Sequence, residues 1–395
     1  MAFSSKWTSV LLLALAEMAG MSLWFTSAAI LPDIAREAAI SEARQALMSS
    51  AVQAGFVAGA LGVSISGLAD RVDPRRVFAA SAMSAAGINA LLLSAPLGGD
   101  AAILLRFLTG ALLAGVYPVG MKIAVGWGTG DRGLLVGLLV GALTLGKSAP
   151  YLAAFVGGAD WRQAVVATSL LAAFGGLLVL TIGLGPHHAR APKFAPRAIL
   201  LAWTDRRIRA AYLGYLGHMW ELFAMWAWIA AAAAASYAVS LDRVEAESLA
   251  KLTAFLAIGL GGLVCLPAGI WADRIGKAEV TIAAMAVSGA AALLRAWSFG
   301  GPVWLTFLLM VIWGIAVIPD SAQFSAIVAD ASPPQLAGSL LTFQTALGFG
   351  LTIVTVQAVP WLASLLGWPA VLSCLAAGPA LGILAMLSLR RGGRA

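Results

Sequence analysis

Three acidic and three basic side chains, Glu17, Glu221, Asp320, Arg106, Lys122 and Lys147, stand inside stretches otherwise apolar enough to cross a bilayer. A lone charge at the centre of hydrocarbon costs about 3 kcal/mol, so these groups must face one another or an aqueous path through the protein. A carboxyl group so placed can take up and release a proton as its surroundings change from exposed to occluded, and Glu17 and Glu221 fit that role. Lys122 and Lys147 are suited to neutralising an anion. His218 lies three residues before Glu221 on one helix face, between Tyr215 and Met225 and near Trp220, Trp226 and Trp228. That cluster can serve as a proton relay, as a polar-solute site with aromatic walls, or as a satisfied packing pair. The six charges sum to zero and can equally tie helices together. No nucleophile–base pair, nucleotide loop or metal-ligand spacing accompanies them, and Cys265 and Cys374 lie in apolar runs. No cofactor and no enzymatic chemistry are therefore expected.

The elements that must position these groups follow from composition. Hydrophobic residues make up 61% of the 395, charged residues 11%, and the mean hydropathy is +0.91, whereas a soluble chain carries about 25% charge. The chain reads as a polytopic, all-α membrane protein. Apolar runs of spanning length fall at about 8–31, 46–68, 77–95, 101–126, 134–157 and 162–183, and again at about 209–237, 249–270, 278–298, 301–328, 336–360 and 364–388. The first run is too long for a signal peptide. Two six-helix units are expected, residues 1–185 and 208–395, joined by a polar linker, 186–207, that carries His187, His188, Arg190 and Lys193.

Lys and Arg concentrate at Lys6, Arg71, Arg75, Arg76, Arg132, the linker, Arg274, Lys277 and the tail, whereas Arg36, Arg44, Arg162, Arg243, Lys251 and Arg295 on the other side are balanced by acids. This asymmetry puts both termini in the cytoplasm, across a cell inner membrane. The net charge of +7 follows from the same sidedness and from attraction to lipid headgroups, so nucleic acid is not an expected partner.

The halves echo each other. Asp70 and Asp273 are 203 positions apart, Glu17 and Glu221 are 204, and Pro118 and Pro319 are 201. Near-constant offsets point to a parallel repeat of six helices. In the turns after the second and eighth helices, Asp70 and Asp273 can accept bonds from a neighbouring helix end, while Arg71 and Arg274 reach carboxylates or lipid phosphates.

Gly269, Asp273, Arg274, Gly276 and Lys277 form a Gly-x-x-x-Asp-Arg-x-Gly-Lys pattern, and on it the chain resembles the major facilitator superfamily over essentially its whole length. The first-half copy departs from the pattern at Ser66, Asp73 and Pro74. The resemblance implies twelve transmembrane helices in two pseudo-symmetric bundles, with the first, fourth, seventh and tenth lining a central cavity and the fifth and eleventh contributing. It makes Asp70, Arg71, Asp273 and Arg274 a conformational latch of alternating access. Arg106, followed by Gly110, Gly115, Pro118 and Gly120, resembles the family's fourth-helix pattern, whose arginine is linked to proton coupling. Gly137, Gly141, Gly146 and Pro150 resemble the antiporter helix, but Lys147 directly follows Gly146 and the proline is delayed.

The expected function is proton-coupled uptake of a small anionic or zwitterionic organic solute by a functional monomer in contact with lipid. Lys122, Lys147, Glu221, His218, Tyr117, Gln323 and Gln344 are the candidate solute contacts, and Glu17, Glu221, Asp320 and Arg106 the candidate proton-coupling groups. The short loops bear a faint likeness to nitrate/cyanate-type and organic-anion branches. Proton-driven efflux of amphipathic or cationic compounds is the alternative within transport. A membrane scaffold or receptor is the alternative outside it.

Overall fold

A computed structural model describes residues 5–66, 68–128, 131–158, 160–187 and 195–392, and those residues are overwhelmingly helical. His188, Arg190, Lys193 and Arg394 lie outside them, as do the side chains of Asp70, Arg132 and Arg391. Spanning helices run over α1 (Lys6–Ala38), α2 (Glu42–Ser66), α3 (Pro74–Leu93), α4 (Asp100–Val125), α5 (Leu134–Val156) and α6 (Trp161–Thr181). They continue over α7 (Arg206–Tyr237), α8 (Arg243–Ile275), α9 (Lys277–Trp297) and α10 (Val303–Ala331). The last apolar stretch, Leu336–Arg390, has 55 residues, which at about 1.5 Å per residue is far longer than a bilayer is thick. It turns at Gly367, whose φ of 77° and ψ of 165° no helix contains, giving α11 (336–366) and α12 (368–390). Twelve spanning helices result among the described residues.

Several helices extend past their apolar runs, because polar end residues are satisfied there by caps and partners. Asp73 accepts from Arg75 N at 2.9 Å, Asp205 from Arg207 N at 2.7 Å and Asp242 from Val244 N at 2.8 Å. Each cap takes up N–H groups that a helix start leaves without partners. Lys251, expected at the outer rim from hydropathy, accordingly lies more than two turns inside α8.

Three spanning helices are broken in mid-course. Helix α1 divides into Lys6–Met21 and Thr26–Ala38, α4 into Asp100–Leu113 and Tyr117–Val125, and α10 into Val303–Ala316 and Ser321–Ala331. Pro118 and Pro319 stand at the equivalent breaks of α4 and α10, where a ring without an N–H interrupts the ladder.

Packing repeats between the halves: α2 lies on α4 as α8 lies on α10, and α3 lies on α6 as α9 lies on α12. The halves meet along two related seams, α5 on α8 and α2 on α11. In the first seam Gly141 and Gly262 face each other so closely that a Cβ on either would come 2.8 Å from the other's carbonyl oxygen; small residues here let the backbones touch. Along α2, Met48, Val52 and Phe56 are buried but none of residues 57–66 is. The halves are thus drawn together at the end remote from the chain termini.

Candidate functional site

The break in α1 exposes backbone at the centre of the first bundle, and Arg106 of α4 occupies it. Its Nη2 donates to the carbonyls of Leu23 and Trp24, each at 2.8 Å, and its Nη1 to Asn89 Oδ1 at 2.8 Å. Asn89 Nδ2 in turn donates to Ser169 Oγ at 2.9 Å. The guanidinium is fully buried and is held by neutral acceptors, among which no described carboxylate stands within ion-pair distance. Arg106 therefore caps the Trp24 carbonyl and that of Leu23, which within the interrupted helix takes only a long 3.5 Å bond from Thr26 N. Helix α3, carrying Asn89, takes part in this core network.

The clamp fixes Trp24, whose ring is one wall of a cage around Lys147 on α5. Lys147 Nζ lies 4.5 Å from the centroid of Trp24, 4.6 Å from that of Phe223 and 5.2 Å from that of Trp226. Trp24 belongs to the first half and the other two rings to α7 of the second. Each desolvated ammonium–ring contact contributes about 0.5–2 kcal/mol. The rings continue outward: Trp24 and Phe56 are 5.0 Å apart, Phe56 and Phe349 4.8 Å, and Phe223 and Phe349 4.9 Å. Tyr151 of α5 secures Trp226 by donating to its carbonyl at 2.6 Å. Among the described residues Lys147 has no ion-pair partner within 4.0 Å.

Glu17 lies beside this cage, within electrostatic reach of Lys147. It is completely buried, and neither carboxyl oxygen has a hydrogen-bond partner among the described residues. Its Oε2 rests against Gly120, where a Cβ would approach it to 2.5 Å. Tyr117, at the start of the second piece of α4, lies within electrostatic reach of Glu17 in its own half and of Tyr215 in the other. Gln344 of α11 is buried with both amide atoms unpartnered among the described residues.

The second half arranges its charges differently. Glu221 accepts from Ser288 Oγ at 2.5 Å and from Trp313 Nε1 at 2.7 Å, so α9 and α10 occupy both its oxygens. His218 turns instead to Asp320 in the break of α10: Nδ1 is 2.9 Å from Oδ1, close but off the line a hydrogen bond needs, and Nε2 has no described partner. Tyr215 and Phe324 flank the imidazole at 6.1 and 5.8 Å between centroids. His218 and Glu221 share a helix but not a hydrogen bond. Gln323 is buried near Asp320, and Lys122 is half-buried on α4.

Ties between the halves lie at the end remote from the termini. Lys251 Nζ of α8 meets Asp33 Oδ2 of α1 at 2.8 Å and donates to the Gly158 carbonyl at 3.1 Å, with Lys251 and Asp33 both buried. Arg36 bonds Asp33 and pairs with Glu247 at 2.9 Å, and Gln357 donates to Ser50 Oγ at 2.6 Å. From sequence Arg36 and Lys251 belong only to the rim, where the balancing acids include Asp33 and Glu247; opposite charges on the first and eighth helices are the one signal of a tie. At the other end Arg71, Asp273 and Arg274 are exposed and make no described ion pair. The nearby pairs Arg75–Asp73 and Lys277–Asp330 each stay within one half.

A bundle with two repeated halves, broken helices at their junction and unpaired charges at the centre is the form of a secondary transporter. Residues 12–348 match the profile of the Major Facilitator Superfamily, and the chain belongs to that family. A search of curated proteins by sequence finds no match. Among solved structures, the chain is similar to a point mutant of the nucleoside transporter NupG, at 15% identity and TM-score 0.70, over 96% of this chain and 99% of that one. It is also similar to the xylose transporter XylE from E. coli, at 14% identity and TM-score 0.68, over 97% and 98%. The human organic anion transporter MFSD10 matches at 16% identity and TM-score 0.70, over 97% and 100%. At these identities the likeness is one of fold.

Proposed function

We propose that this transporter takes up a small anionic or zwitterionic organic solute together with protons, as a monomer in a cytoplasmic membrane with both termini inside. The observation that carries this reading is the pair Lys147 and Glu17: both are buried where the halves meet, and neither is neutralised by an ion pair among the described residues. An ammonium held only by ring faces exchanges them readily for a carboxylate, because a charge-assisted hydrogen bond is the stronger contact. Glu17, whose oxygens take no hydrogen bond among the described residues, is the better proton carrier; Glu221 is bound on both oxygens within one half. His218 with Asp320 supplies a second titratable pair at a helix break, and Tyr117, Gln344, Gln323 and Lys122 are further solute contacts. The distribution of Lys and Arg supports the orientation, so the closed end faces outward and the Asp-Arg turns face the cytoplasm. Residues 1–185 rock against 208–388, with Asp70, Arg71, Asp273 and Arg274 forming ties in the opposite state.

Proteoliposomes with an imposed pH gradient test the reading. Accumulation of solute with inward proton flow is expected, and Glu17→Gln should abolish gradient-driven accumulation while leaving solute exchange without a gradient. Unchanged accumulation in that variant would remove Glu17 from coupling. The aromatic cage also suits an organic cation once Lys147 is displaced, which favours proton-driven efflux as a second reading; opposite fluxes of solute and proton would establish it.

A further inference from the structure

The cage around Lys147 has a composition that narrows the solute. Its walls are Trp24, Phe223 and Trp226, and Phe56 and Phe349 extend them ring to ring, all five being buried. A polyhydroxylated solute needs a matching set of polar partners, and hydroxyl groups brought against ring faces lose their hydrogen bonds to water. Polar capacity among the rings themselves is instead small and consists of donors, with Glu17 beside them as the neighbouring acceptor. Lys147 supplies the charge, and the indole N–H groups of Trp24 and Trp226 are buried with no acceptor among the described residues. Buried donors without partners are uncommon and call for an explanation. Two neutral donors and one cation, set among apolar rings from both halves, are complementary to a single oxyanion attached to a flat hydrocarbon body.

We propose that the solute is an organic monocarboxylate with an aromatic or similarly flat apolar body, its carboxylate taken by Lys147 with the free indole N–H groups of Trp24 and Trp226, and its body lying against Phe223, Phe56 and Phe349. This rests on the anionic-solute reading above and makes it specific. Because the rings come from both halves, the site is complete only while the halves are together around the solute, which links binding to occlusion.

Binding to the purified protein, measured by calorimetry with benzoate, acetate, benzyl alcohol and benzyltrimethylammonium as probes, tests it. Benzoate is expected to bind at least 10-fold more tightly than acetate or benzyl alcohol. Lys147→Met should cost at least 10-fold in benzoate affinity, and Trp24→Phe, which keeps a ring and removes the N–H, about 3-fold or more. Both variants are to be checked by thermal melting, with Lys147→Arg as the charge-preserving control that retains measurable binding. Acetate binding as tightly as benzoate, with both lost in Lys147→Met, would overturn the flat-body assignment and leave the anion reading standing. Binding of benzyltrimethylammonium in preference to both acids would overturn the two together, as would the failure of both acids to bind a folded protein. Benzoate affinity unchanged in Trp24→Phe would remove the indole donor from the site.

Discussion

Arg106 shows how a buried charge can serve geometry. Its hydrogen bonds go to two carbonyls and an amide oxygen, so its fork of donors matters more than its unit charge. Lysine cannot reproduce that fork. Arg106→Lys is expected to destabilise the protein by about 2 kcal/mol, the scale of a lost charge-assisted hydrogen bond. It should also weaken solute binding by freeing Trp24 from its carbonyl clamp. Thermal melting and solute affinity on the same preparation check this; a lowered melting temperature with unaltered affinity would confine Arg106 to stability. Lys147→Ala leaves the cage without its cation, and an affinity loss of roughly 10- to 100-fold for an anionic solute follows from one such bond.

Among the elements, the broken helices carry Glu17, Arg106 and Asp320, and α4 shows a consequence. Its second piece presses Gly120 onto the Glu17 carboxylate, and the added methyl of Gly120→Ala would stand 2.5 Å from Oε2 and 3.4 Å from Phe78. With Phe78 fully buried, the carboxylate must move. Gradient-driven accumulation should fall severalfold while folding survives, and flux assays beside size-exclusion profiles report both quantities. The start of α3 gives a simpler test. Asp73 caps it, and the Arg75 guanidinium beside that carboxylate holds its pKa below the ordinary value. A depressed folded value means that the stabilisation is present above the unfolded value and is lost as pH falls through the folded one. Asp73→Ala should therefore cost about 1 kcal/mol near neutral pH, and its melting curve should converge on that of the native sequence as the medium is acidified.

At the scale of the whole molecule, the Asp33–Lys251 pair holds the closed end. Both side chains are buried, and removing Asp33 strands Lys251, whereas Asp33 without Lys251 keeps Arg36: breaking a buried pair typically costs about 3–5 kcal/mol, enough to shift a conformational equilibrium, with the larger effect expected for Asp33→Asn. Either Asp33→Asn or Lys251→Met is expected to populate a state open at that end. The double variant, with no stranded charge, should return part of the way. Paired spin labels across the two ends can measure this, and a double variant no closer to the native distance distribution than the singles would rule out direct coupling. On the proposed latch, Asp273→Asn should act in the opposite direction, by weakening a state in which the Asp-Arg turns meet.

By itself the sequence determined the membrane class, the number of spanning helices and the repeat. These depend on run length, composition and offset, which are properties of the chain read in one dimension. It also singled out Glu17, Arg106, Lys147 and Glu221, because a charge within an apolar run is conspicuous before any folding. Their partners were decided only by tertiary structure. Lys147 met rings rather than a carboxylate, Glu221 met Ser288 and Trp313 rather than His218, and Asp33 met Lys251 across the two halves. None of these pairings follows from spacing, since the partners lie on different helices and depend on how those helices rotate and approach one another. The break in α1 was hidden for a related reason. No proline or glycine interrupts residues 22–25, and what stabilises the turn is a side chain of α4, 82 and 83 residues away in sequence.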